Sequence, residues 1–450
     1  MFGSSGFFQG IADERWTPPE RPDNFYNTIT NGIGLSENAF IGAAVAMSWD
    51  GNIALAGGPN TSRVIGSSLE PAVGDVLAFN NDLIIDTPSN QFISGALRRV
   101  GVGITAQNLG GLDGGFRFGN SIATNSTGTE LYIGCPGYAN SAGAILIGYV
   151  THPITNSNDI LISGNYIAPE PNNGNFGYSI ELNQRFNNIM AIGGDLFNVP
   201  GNRGGSIYMY SRTNTSDPTA WNFVQKITCP LGAGDFYFGN AISIDSSPDG
   251  SEHYMAVGAY GLNTVYLYRS TNISGPWSLV AAGGGIPGES QLASTGASLA
   301  LNCEYSTLFI GSPGADGRRG LVRQHSFGPS SISNGTTQSA GFRPVNGRYG
   351  EAMTISGDGA VLYVGMSGVY SGAAKCYYRN LDPDSSLYLR WNPFNDNLNA
   401  HTIQPRSGIP YGSRFGSALR TNFTGDRVII GAPLASAPFF RSGFASLRWE

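Results

Sequence analysis

Internal repetition constrains this chain more than any other feature. Seven stretches share one pattern: an aromatic residue (Ile or Thr in two copies), then Gly, then alternating apolar and polar residues, a turn rich in Asn, Asp, Ser and Gly, and a second apolar run that closes on Gly. Three examples are "FGNSIATNSTGTELYIGCP" from Phe118, "YGEAMTISGDGAVLYVGMS" from Tyr349 and "FGSALRTNFTGDRVIIGAP" from Phe415. The units start near residues 41, 118, 176, 238, 295, 349 and 415. Their first glycines are Gly42, Gly119, Gly177, Gly239, Gly296, Gly350 and Gly416, so the steps range from 54 residues (Gly296 to Gly350) to 77 (Gly42 to Gly119). From first to second Gly the distance is 15 residues in five copies, 16 in one and 19 in one. The core of the unit is fixed while its connections vary.

Alternation, a polar turn and a second apolar run read as a β-hairpin. A third run follows each hairpin, as in "GSIYMYS" and "NTVYLYR", and a fourth, weaker run precedes the next unit, clearest in "WNFVQKIT". Composition points the same way. Charged residues are only 12% of the chain, Gly numbers 64, and the Asn and Ser that fill the turns compete for backbone hydrogen bonds in any helix. Short sheets repeated radially protect one another's edges, so the sequence predicts an all-β fold, a seven-bladed β-propeller of four-stranded antiparallel blades.

The two ends bear on closure. The last unit reaches only its third run at the C-terminus, and "NFYNTIT" at residues 24–30 resembles "NFVQKIT" at 222–228. An N-terminal strand paired with the C-terminal blade would complete the ring and make 24–450 one domain, with 1–23 an extended N-terminal arm. The longest step carries an insertion at 83–112, with Arg98 and Arg99 as contact candidates.

A formal charge of −6 offers no basic footprint for nucleic acid. Lys226 and Lys375 are the only lysines among 25 basic residues, so nearly every cation is a planar, bidentate arginine. Cys135, Cys229, Cys303 and Cys376 lie far apart without metal-site spacing and are expected as free, buried thiols. The N-terminal stretch lacks the basic and apolar segments of a secretion signal, and no apolar run is long enough to span a membrane.

With their Phe-Gly openings and Gly-Ala-Pro-like closings, the seven units resemble FG-GAP repeats, the blades of integrin-α-type propellers. "AMSWDGNIALAGGP" and "MTISGDGAVLYVGMS" are most similar to the metal-poor branch of bacterial surface proteins and of large-virus and phage proteins. In the calcium-binding branch the turn between the first two strands supplies several carboxylates, because Ca²⁺ takes six to eight oxygens. Six of the turns here are too poor in acids for that. The fourth, with Asp245, Asp249 and Glu252, is a weak calcium candidate; no other cofactor is expected. The aromatic residues Phe118, Phe176, Phe238, Tyr349 and Phe415 are expected to pack between blades.

The sequence holds no H-E-x-x-H, no G-x-S-x-G and no phosphate loop, and its four histidines are scattered. The expectation is therefore no enzyme, but a structural or adhesive module. The resemblance implies a virion or surface assembly, in which the chain binds neighbouring structural proteins or a receptor. The alternatives are a carbohydrate-binding attachment protein and, less favoured, a polysaccharide-degrading enzyme. Recognition is expected on loops that vary between units: "GADGRRG" with Arg318 and Arg319, "FNVPGNRGG" with Phe197 and Arg203, and "LASAPFFRSG" with Phe439, Phe440 and Arg441.

Overall fold

A computed structural model describes residues 38–65, 68–70, 72–80, 98–100, 115–150, 160–168, 174–194, 204–232, 234–280, 284–290, 292–338, 343–379, 391–392, 401–405, 409–436 and 444–449. The chain forms an all-β propeller of small antiparallel sheets. The third blade shows the plan: strands β1 (Ser179–Leu182), β2 (Ile189–Gly194), β3 (Ser206–Ser211) and β4 (Asn222–Thr228) pair in sequence order, each antiparallel to the next. Blades of four or five strands form six times. The seventh unit makes only a three-stranded sheet of Ala418–Thr421, Arg427–Ala432 and Phe444–Trp449.

The expected count of seven four-stranded blades is thus corrected to six, with a three-stranded sheet in the remaining sector. The strand assigned to that sheet, 24–30, and the arm 1–23 lie outside the described residues. From the insertion at 83–112, Arg98–Val100 forms the fourth strand of the first blade, paired with Val76, Leu77 and Ala78.

The second strand of each unit is apolar along most of its length because both of its faces are covered. Ile189 and Ala191 pack toward the fourth unit, against Met255 and Val257. Their neighbours Met190 and Ile192 pack toward the second unit, against Tyr132 and Ile147. One short strand therefore feeds two cores, which is why its sequence reads as a run and not as an alternation. The core is a set of layers between adjacent units, and Ile429 of the last unit packs with Val45, Met47 and Leu77 of the first.

The aromatic residues that open the units fill these layers. Phe118, Phe176, Phe238, Tyr349 and Phe415 are all buried, and Phe176 lies edge-on to Tyr208 at 5.1 Å between centroids. Burying one such ring stabilises the fold by about 2–3 kcal/mol. Ahead of the opening residue of each unit sits a residue in the left-handed region: Phe40, Arg117, Asn175, Tyr237, Ser294, Arg348 and Arg414. Five residue types, three of the seven copies being Arg, share that backbone position.

Buried polar ties join the layers. Arg212, fully buried, pairs with both carboxylate oxygens of Glu130 in the preceding unit (2.7 and 3.3 Å) and lies 4.5 Å from the centre of the Trp221 ring. All four cysteines are free and buried, as expected.

Candidate functional site

The first strands of the units line the central channel, and two families of loops frame it. On one side, called the upper face here, the loop entering each first strand is bonded to the loops between second and third strands. The Gly368 N–H donates to the Gly347 carbonyl (3.1 Å) within the sixth unit, and the Arg348 N–H to the Arg318 carbonyl (2.9 Å) of the fifth. On the lower face the turns between first and second strands are bonded to one another. Phe423 N–H donates to the Trp49 carbonyl (2.8 Å), and Asp358 N–H to the Phe423 carbonyl (3.0 Å).

One lower-face turn reaches across the channel. Gln184 donates its side-chain amide to the carbonyls of Met47 and Thr124, both at 2.9 Å, in the first and second units. Arg185 points the other way. Its guanidinium bonds Asp245 (3.3 Å) of the fourth unit and the Gly357 carbonyl (3.2 Å) of the sixth, lies 3.7 Å from Glu304 of the fifth, and sits 5.6 Å from the Trp49 ring centre. Two adjacent side chains from the third unit thus touch five others and stopper the channel.

Farther along the channel, Glu181 of the third unit pairs with Arg420 of the seventh. Burial raises the Glu181 carboxyl above its ordinary range, and Arg420 opposes that rise. Asp245 is raised by burial in the same way, against the pull of Arg185 and the Cys303 N–H. The space left among Trp49, Glu181, Asp245, Ser356 and Arg420 is ≈ 60 Å³, far below the roughly 300–1,000 Å³ of small-molecule pockets.

The three acids of the weak calcium candidate face different partners. Asp245 is buried and faces Arg185 and the Cys303 N–H. Asp249 is exposed and accepts from the Ser247 hydroxyl (2.6 Å) and the Ser251 N–H (3.1 Å), bonds that bring its carboxyl down to about 2. Glu252 accepts from Tyr254 (2.6 Å) and Arg269 (2.5 Å). Among the described residues no group of three or more His, Cys, Asp or Glu could hold a metal ion.

The same Ser-to-Asp closure recurs in other turns. Asp50 accepts from Ser48 Oγ (2.5 Å) and the Asn52 N–H (2.9 Å), and Asp358 from Ser356 Oγ (2.6 Å) and the Ala360 N–H (3.0 Å). The lone acid of these hairpins ties the turn to itself.

A Ser–His contact that the sequence did not reveal lies across the fourth hairpin. Ser246 Oγ and His253 Nδ1 are 2.6 Å apart, and Asn183 donates to the same hydroxyl at 2.7 Å. Both partners are buried and paired across adjacent strands, so the contact braces the hairpin.

Of the recognition candidates, Arg318 and Arg319 are exposed on the upper face. Phe197, Arg203, Phe439, Phe440 and Arg441 lie outside the described residues. Sequence reasoning missed Tyr370 and Tyr411 on the same face, 75% and 81% exposed with ring centres 5.8 Å apart. Neither sits in a repeated position, so only the fold brings them together. No helix among the described residues is long and apolar enough to cross a membrane.

No protein-family model matches the sequence, and no curated protein is detectably similar to it. Among solved structures the chain is similar to the hydrazine synthase of Kuenenia stuttgartiensis, with a TM-score of 0.50, 13% identity, and coverage of 93% of this chain and 98% of that one. It also aligns with the periplasmic gluconolactonase PpgL of Pseudomonas aeruginosa, with a TM-score of 0.47, 12% identity, and coverage of 75% of this chain and 81% of that one. The first likeness supports the propeller fold and extends no further.

Proposed function

We propose that this chain is a non-enzymatic binding module, an FG-GAP-like propeller of the metal-poor kind that holds neighbouring proteins or a receptor through its upper-face loops. Its place in this reading is a virion or surface assembly, and residues 24–30 complete the three-stranded sheet. One observation carries the non-enzymatic part: the polar groups pointing into the channel are committed to one another, through Gln184, Arg185 and the Glu181–Arg420 pair. Side chains that satisfy each other across a stoppered channel act as ties between units. The virion or surface setting draws its support from the resemblance of the repeats.

A carbohydrate-binding attachment protein is the second reading, favoured by the exposed Tyr370–Tyr411 pair. Cross-linking and cryo-electron microscopy of the native source test the first reading. The expected result is a stoichiometric assembly in which upper-face loops cross-link to a neighbour. Turnover of a polysaccharide by the purified chain, lost in Glu181→Gln, would overturn the non-enzymatic reading.

A further inference from the structure

Among the described residues positive charge is concentrated on one sector of the upper face, in a chain whose formal net charge is −6. Where the fifth, sixth and seventh units meet, the described loops 312–320, 343–351, 366–372 and 409–417 hold five arginines against two carboxylates, Asp316 and Glu351. Arg318 and Arg319 are exposed, and among the described residues no ion pair engages either. Arg348 and Arg414 converge on the single carboxylate of Glu351, with their own side chains 43% and 37% exposed. Two guanidiniums on one buried carboxylate leave one positive charge uncompensated at the surface.

These arginines are not demanded by the fold. Arg348 and Arg414 occupy the left-handed position that precedes the opening residue of each unit, where other units carry Phe40, Arg117, Asn175, Tyr237 and Ser294. The backbone accepts any of these, so the fold does not require a cation there, and among the described residues only in this sector do two such arginines from adjacent units meet on one carboxylate. Arg318 also holds a left-handed φ of 63°, in a loop bonded directly to Arg348. Beside them stand Tyr370 and Tyr411, whose rings are tilted by 51° and whose loops are joined by a bond from the Gly412 N–H to the Tyr370 carbonyl (2.7 Å).

We propose that this sector binds an acidic oligosaccharide, with its carboxylate or sulfate groups taken by Arg318, Arg319, Arg348 and Arg414 and a sugar ring resting on Tyr370 and Tyr411. Guanidinium forks match such anions in shape and charge. Exposed phenol rings offer an apolar face with a polar rim, which suits the C–H face and hydroxyl edge of a pyranose. A long polyanion such as nucleic acid would meet repulsion outside the patch, because the rest of the chain is acidic. The proposal rests on the binding-module reading and gives it a ligand class.

The test measures binding of the full chain to heparin oligosaccharides, hyaluronan, polysialic acid, neutral dextran and single-stranded DNA. At least one acidic glycan is expected to bind and dextran not to. Affinity should fall roughly tenfold or more in the double variant Arg318→Ala/Arg319→Ala and separately in Tyr411→Ala, as expected for losing charge-assisted bonds or a stacked ring. These residues are exposed, so unchanged thermal unfolding would certify folding in each variant. Binding to no acidic glycan, binding indifferent to both variants, or DNA bound as tightly as any glycan would each overturn the proposal. If glycans fail while the chain still cross-links in an assembly, the ligand assignment falls and the module reading stands. A bound glycan that is also cleaved would sink the module reading and leave the site.

Discussion

A Cβ built on Gly431 would stand 2.0 Å from the carbonyl oxygen of Gly42, so the last unit meets the first main chain against main chain. The same contact runs round the ring: Gly57 against Gly119, Gly134 against Gly177, and Gly365 against Gly416, the second Gly of one unit abutting the first Gly of the next. The two repeated glycines are the two halves of one inter-unit joint.

Gly431→Ala is expected to destabilise the protein by about 3 kcal/mol, since backbone and not a yielding side chain opposes the new methyl. Gly284→Ala, with nothing within 4 Å of its Cβ, should change stability by less than about 0.5 kcal/mol. Urea unfolding midpoints of the two variants make the comparison; equal midpoints would refute the joint.

Removing the channel stopper should cost comparably. Arg185 and Asp245 are 11% and 9% exposed, so Arg185→Ala leaves a buried carboxylate without its cation and is expected to cost about 3 kcal/mol. Arg185→Lys should recover only part of this, because an ammonium cannot fork between Asp245 and the Gly357 carbonyl. Full recovery by lysine would show that the charge alone matters.

The lower-face turns should be indifferent to calcium. With Asp249 engaged by Ser247 and Ser251, neither millimolar Ca²⁺ nor a chelator should move the thermal midpoint, because an unbound ion contributes no linkage energy. Asp358→Ala should lower stability by about 1 kcal/mol through loss of the bonds from Ser356 and Ala360. A calcium-dependent rise in the midpoint would restore the metal reading.

Acid should weaken the fold through two histidines. Burial lowers the affinity of His253 and His325 for a proton. Below about pH 6.5 the unfolded chain therefore binds protons that the folded chain declines. Their contribution is complete above that pH and is lost as pH falls through it. Glu181 and Asp245, raised by burial, act in the opposite sense as they ionise. The informative quantity is the difference in pH slope between the native chain and His325→Gln. A variant with an unchanged slope between pH 7 and 5 would contradict the assignment.

Much of the fold was legible because a repeat is read seven times. The hairpin, the third strand, the buried aromatics and the free cysteines all follow from local pattern. The count of complete blades was not legible: the last unit carries only three strands among the described residues, because a local repeat shows that a unit is present and not how many strands its sheet completes. The site was harder still. Arg318 and Arg319 stood out as a charged loop, whereas Tyr370 and Tyr411 lie 41 residues apart in sequence and become neighbours only when the sixth and seventh units close on each other.

The sequence by itself determined the building block, because alternation, turn chemistry and paired glycines act over a few residues and need no partner. Tertiary structure decided what the variable residues do. Gln184 and Arg185 look like an ordinary polar turn until the ring brings five other units within their reach. Asp249 reads as a free surface acid until Ser247 and Ser251 close around it. Charge and hydrogen bonding depend on distance, and distances across a ring are set by the number and packing of its units.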